Sequence, residues 1–167
     1  YAGTDPVTGK EKRIYKQGFR TQKDAKLAAS IVENQLDRGV YIEPSNITFN
    51  AICDDWEKHY STQAKESSLR ARKKALKHIR NEFGEIPIQK ISKKAYQDTI
   101  DRLGSKFSYN YMSSIHSSAN MVFEYARTNK LIKDLPTKGI KLPKKIQTVE
   151  ELEKKDSIQD KFLEKKE

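Results

Sequence analysis

Arg70, Lys73, Lys74 and Lys77 lie in SLRARKKALKHIRNEFG, residues 68–84, at the i, i+3, i+4 and i+7 positions of one helical face. No acid falls in that stripe. Fixed positive charges one helical turn apart suit a row of nucleic-acid phosphates, and they equally suit a solvated lysine-rich surface, the commoner meaning of such a run. A second stripe repeats the spacing with small uncharged side chains: Asn110, Ser113, Ser114 and Ser117. Groups of this kind approach phosphates and base edges closely. Ser108 stands at its head, and Tyr109, Tyr111 and His116 flank it. An ordinary polar helix surface has the same pattern.

Other chemistry is hard to find. There is no metal-ligand spacing, no glycine-rich phosphate loop and no nucleophile elbow. His59, His78 and His116 sit in no catalytic constellation and read as surface or helix-flank residues. We therefore expect no cofactor, no metal and no catalysis from these residues. The net charge of +10 asks for a polyanionic partner. Nucleic acid fits better than a membrane, because no apolar run approaches the ~20 residues needed to cross a bilayer. A single cysteine, Cys53, excludes an intramolecular disulfide and favours a reducing, cytoplasmic setting. The chain opens on Tyr1 in a strand-like stretch, which reads as part of a longer protein.

The stripes need helices to hold them. In the 68–84 segment, Leu69, Leu76, Ile79 and Phe83 give the opposite, apolar side, with Ser67 or Ser68 as cap and Gly84 as a left-handed stop. Before it, Thr48 caps a helix whose Phe49, Ile52, Cys53, Trp56 and Tyr60 share one face, with Cys53 an inert buried thiol. After it come an extended connector, IPIQKI, and a short helix from Ser92 to Gly104 burying Tyr96, Ile100 and Leu103. A last helix from Ser108 buries Met112, Ile115, Ala119, Val122 and Ala126. The fold expected is mainly α, a four-helix bundle over residues 46–136. A small α+β unit precedes it over residues 1–40: a turn at Asp5–Lys10, a strand at Lys12–Gln17, and a helix begun by Thr21 and closed by Gly39, with Ala25, Ala28, Ala29, Val32 and Leu36 as its stripe. Residues 137–167 read as an extended basic linker, with Lys138, Lys141, Lys144 and Lys145, and the first turn of a further domain at Asp160–Leu163.

The order of these parts resembles a known family. The turn DPVTGK, the basic strand and GFRTQKDAKLAA resemble the end of the arm-site DNA-binding domain of phage and conjugative-element integrases. ITFNAICDDWEKHY, the basic helix closing on FGEIPIQKIS, and VFEYARTNKLI resemble their core-binding domain, a SAM-like orthogonal bundle. DKFLEKKE resembles the start of the catalytic domain of tyrosine recombinases. The resemblance implies that Arg70, Lys73, Lys74 and Lys77, with Ser108, Tyr109, Asn110, Ser113 and Ser114, grip double-stranded DNA at the core recombination site. It makes Arg13, Tyr15 and Arg20 candidates for a major groove, and Lys141 and Lys144 on the basic linker are further DNA-binding candidates. Other integrase protomers in a synaptic complex are the implied protein partners. The family's His-x-x-Arg motif is not present around any of the three histidines, and Tyr125, the last tyrosine, falls in the bundle. The piece in hand is then the DNA clamp of a strand-exchange enzyme.

Two other functions fit the composition: a stand-alone helical DNA-binding regulator, and a helical protein-interaction module with incidental charge. The regulator calls for a compact recognition helix after a tight turn, which is not evident. The interaction module calls for an exposed apolar patch. Salt separates it from the DNA binders, because neutralising four to six phosphates gives a log–log slope of about −4 to −5.

Overall fold

The computed structural model describes residues 9–11 and 13–144. They fall into two compact units that divide between Pro44 and Ser45. The first holds helix α1, Gln22–Asp37. Thr21 is extended and its hydroxyl accepts from the Asp24 N–H at 3.1 Å, which satisfies one of the free donors of the first turn. The other end closes on Gly39, whose φ of +65° is the left-handed position that glycine takes without strain. Gly39 N–H bonds to Leu36 O and Val40 N–H to Gln35 O, the paired bonds of a Schellman stop. Ala25, Ala28, Ala29, Val32 and Leu36 line one groove together with Ile14, Lys16 and Phe19.

The second unit is built on α2 (Phe49–Ser61), α3 (Glu66–Phe83), α4 (Lys93–Gly104) and α5 (Tyr109–Thr128), with a 3-10 turn at Ile88–Lys90. Thr48, Ser92 and Ser108 each cap a helix through the side-chain oxygen. The inward faces merge into one core. Phe49, Cys53, Leu76, Ile79, Tyr96, Ile100, Met112, Ile115, Val122 and Phe123 are essentially inaccessible. Phe123 is the hub: its ring meets Phe49 of α2 at 5.2 Å and Tyr96 of α4 at 5.9 Å, the latter edge-on. Burial of side chains this size stabilises the bundle by ~1.5–3 kcal/mol each, far more than its surface ion pairs. Among the described residues, no helix is long and apolar enough to cross a membrane.

Burial pushes the Cys53 thiol up to about 12, although the Arg80 charge pulls the other way. The thiolate is the reactive form. Native protein at pH 8 is expected to resist a thiol reagent, and denatured protein to react within minutes. Because the folded-state value lies above the ordinary thiol value, the unfolded chain ionises first. This contribution to stability is therefore complete below about pH 9 and falls as pH rises towards 12. Rapid labelling of native protein would show that Cys53 is reached from outside.

Four local readings are corrected. Helix α3 starts at Glu66, after Lys65, with no side-chain cap from Ser67 or Ser68. Gly84 is right-handed, φ −50° and ψ −46°, so it does not serve as a left-handed stop. Its role is close approach: a Cβ there would stand 2.4 Å from both Arg80 O and Asn50 Nδ2. Residues 13–17 form no strand, and the described residues hold only isolated bridges, such as Thr48 with Pro87. The alternation there is partial, with cations on both faces, which is a weak signal for a half-buried strand. The segment read as an extended linker is packed on the bundle as far as Pro143. Thr137 is buried and hydrogen-bonds Asn120, and Ile140 and Leu142 pack against the core. Gln97 clamps the Lys141 backbone at both ends, at 2.8 and 3.0 Å. Pro143 fills the space beside Gly104 where a Cβ would be. The turn at residues 5–8, Lys12 and the tail from residue 145, including DKFLEKKE, lie outside the described residues.

Candidate nucleic-acid interface

Helix α3 carries its charges on the side turned away from the core. Arg70, Lys73, Lys74 and Lys77 are all exposed. Their electrostatic states differ. Arg70 pairs with Glu66 at 2.8 Å on its own helix, and Lys73 pairs with Glu57 of α2 at 2.9 Å. Lys74 and Lys77 have no ion pair among the described residues, so their charge is available to a ligand.

The polar stripe meets this side along the α3–α5 seam. The two helices run antiparallel: Arg72 reaches Ser118 at 3.4 Å near one end and His78 reaches Tyr111 at 3.1 Å near the other. Lys74 lies one turn before His78, and Ser114 one turn after Tyr111, so these two positions are level along the seam. Ser118 in turn donates to Ser114 O at 2.8 Å, which fixes that stretch of α5. Ser113 and Ser114 are half-buried; Ser108, Tyr109, Asn110 and Ser117 are exposed. The Ser108 oxygen is occupied in capping, accepting from the Tyr111 N–H.

His78 sits within this seam. Its ring packs on Phe107 at 4.6 Å and stands edge-on to Tyr111. Burial, and then the Lys77 charge, hold it below the usual imidazole range. It is thus a neutral hydrogen-bonding partner for Tyr111, adding no charge to the row. His116 is also held low by burial and bonds the Tyr96 hydroxyl at 3.2 Å, so it turns towards α4 instead of flanking the polar stripe.

On the other side of α3, Arg80 ties α3 to α2. Its Nε donates to Asn50 Oδ1 at 3.0 Å, Nη1 to Glu57 Oε1 at 3.1 Å, and Nη2 to Asp54 Oδ1 at 2.6 Å. Asn50, Glu57, Lys73, Lys77, Arg80 and Asn81 line a shallow polar pocket there. Arg72 falls off the i, i+3, i+4 face, whereas Arg80, three residues after Lys77 and seven after Lys73, continues it by one turn and was missed by ending the stripe at Lys77. The available signal was Asp54 and Glu57 one turn apart on α2, acids that face α3.

Elsewhere, Lys141 and Lys144 are exposed on the segment leaving the bundle. In the first unit Arg13 and Arg20 are exposed, Arg13 pairs with Glu11 at 3.1 Å, and Tyr15 is 83% exposed. Among the described residues no group of His, Cys, Asp and Glu could hold a metal ion.

Residues 48–104 match the family model described as phage integrase, N-terminal SAM-like domain, and residues 1–36 match that of an arm DNA-binding domain. The chain is 34% identical over 168 residues to the Prophage ps2 probable integrase of Lactococcus lactis subsp. lactis (strain IL1403), covering 98% of this chain. It spans 42% of that relative's length. A solved domain lying N-terminal to the integrase domain of a Staphylococcus haemolyticus protein is 47% identical, with a TM-score of 0.46, covering 62% of this chain and 93% of that one. The N-terminal domain of the Prophage pi2 protein 01 (integrase) from Lactococcus lactis shares the fold, with a TM-score of 0.53 at 14% identity, covering 57% of this chain and 92% of that one.

Proposed function

Because residues 1–36 and 48–104 match the arm DNA-binding and N-terminal SAM-like domains of phage integrases, we propose that this chain is the DNA-gripping part of a site-specific tyrosine recombinase. The bundle, residues 46–136, clamps the core recombination site. Residues 1–40 take the arm-type site, with Arg13, Tyr15 and Arg20 towards a major groove. Lys141 and Lys144 follow the duplex on the segment leading onwards over residues 137–167. The parent enzyme integrates and excises a mobile element in the bacterial cytoplasm, joined by other protomers in a synaptic complex.

One observation supports the clamp most directly. Lys74, with no ion pair among the described residues, lies along a seam whose other bank is the small polar side chains of α5, locked in register by Arg72–Ser118 and His78–Tyr111, and Lys77, likewise without an ion pair among them, stands towards α2. Cations supply affinity, and short donors beside them permit close approach to the backbone and base edges. Arg70 and Lys73 contribute less, because each already holds a carboxylate.

The test is a titration of a labelled ~30-bp duplex across a range of salt. Affinity is expected to fall with a log–log slope of about −4 to −5 as four to six phosphates are neutralised. A flat response would favour a protein partner and overturn the DNA clamp.

A further inference from the structure

The pocket between α2 and α3 already holds an anion of the protein's own. The Glu57 side chain is only 12% exposed, and its two oxygens bridge two cations of α3: Oε2 to Lys73 Nζ at 2.9 Å and Oε1 to Arg80 Nη1 at 3.1 Å. A carboxylate bridging two cations in this way resembles two oxygens of a phosphate. All three nitrogens of Arg80 are engaged by Asn50, Asp54 and Glu57, so its guanidinium is a strut. Lys73 is different: it is half exposed, and its ammonium has donors to spare. Lys77 and the Asn81 amide line the same pocket.

We propose that this pocket seats one backbone phosphate of DNA, and that Glu57 is a built-in competitor which surrenders Lys73 when the phosphate arrives. The inference rests on the DNA-binding function and adds a subsite and a restraint to it. Lys73 then contributes little net affinity in the native chain, since binding exchanges one anion for another. The restraint lowers the grip of the bundle on DNA in general.

The experiment is a cycle of Glu57→Gln, Lys73→Gln and the double variant, measured with the labelled duplex at ~0.1 M salt. Glutamine keeps an oxygen for Arg80 while removing the charge. Glu57→Gln is expected to tighten binding by about 3- to 8-fold and to steepen the salt slope by ~0.9, the value of one added phosphate contact. Lys73→Gln alone is expected to change affinity less than twofold, and in the Glu57→Gln background to abolish the gain. Wild-type affinity and slope in Glu57→Gln overturn the competitor. So does a loss of about tenfold in Lys73→Gln alone, a test on an exposed side chain that does not depend on the acid variant folding. Neutralising Lys74, which does not line this pocket, in parallel separates the two levels. If that change weakens binding while Glu57→Gln leaves it unchanged, only the competitor fails. If none of these variants alters binding, the DNA-binding function fails with it.

Discussion

Replacing Lys74 and Lys77 together by alanine is expected to weaken duplex binding by on the order of 10- to 100-fold at ~0.1 M salt and to make the salt slope shallower by ~2. The size follows from counterion release. Each neutralised phosphate contributes about 0.9 log unit of affinity per decade of salt, a term that fades near 1 M, so at ~0.1 M each lost lysine costs roughly eightfold. Both residues are exposed and neither holds an acid among the described residues, so their full charge is open to DNA. Arg70→Ala should cost far less, because Glu66 at 2.8 Å already offsets its charge. The loss should be uniform across sequences, since phosphates carry no base information. A salt titration on two unrelated duplexes measures all of this. Unchanged affinity in the double variant removes the α3 face from the interface.

This ranking among four lysine and arginine neighbours could not be read from spacing alone. Helical periodicity places Arg70, Lys73, Lys74 and Lys77 on one face, and the structure exposes all four. The pairing of Arg70 with Glu66 is an i, i+4 contact legible in the sequence, but whether Lys73 is spent on an acid depends on α2, a separate helix, and on where Glu57 points. Local signals served well where the physics is local. Thr21, Thr48, Ser92 and Ser108 cap their helices because a hydroxyl and the N–H three residues on are neighbours in any helix start. Position in sequence misled where tertiary contacts decide. Gly84 looks like a left-handed stop, yet glycine is needed there so that Asn50 and the Arg80 carbonyl can come close. Lys141 looks like linker, yet Gln97 grips its backbone from 44 residues away. His78 looks like a surface residue, yet Tyr111 and Phe107 claim it across the seam.

Trp56→Ala is expected to cost the bundle ~3–5 kcal/mol, the range for deleting a large buried aromatic. Trp56 is 3% exposed and stacks on Tyr60, with ring centroids 4.8 Å apart, so its loss leaves a cavity and strands a partner ring. Neighbours can close only part of that space, because α2 is also fixed at both ends. Phe49 is wedged against Phe123 at one, and the His59 ring packs on Tyr125 at 5.5 Å near the other, where Tyr125 also donates to Asp55 at mid-helix at 2.9 Å. For a domain of roughly 100 residues, ~1 kcal/mol moves the melting temperature by about 4–8 °C, so a fall of more than ~12 °C should appear in a thermal scan. Tyr60→Ala should cost less, since Tyr60 is only partly buried. The two effects need not add, because the rings touch. Below its own melting temperature the Trp56 variant should retain the wild-type salt slope, as Trp56 is buried in the core while Lys73, Lys74 and Lys77 of α3 are exposed. A changed slope at full folding would mean that Trp56 supports the DNA face itself. An unchanged melting temperature would mean that α2 is not a wall of this core.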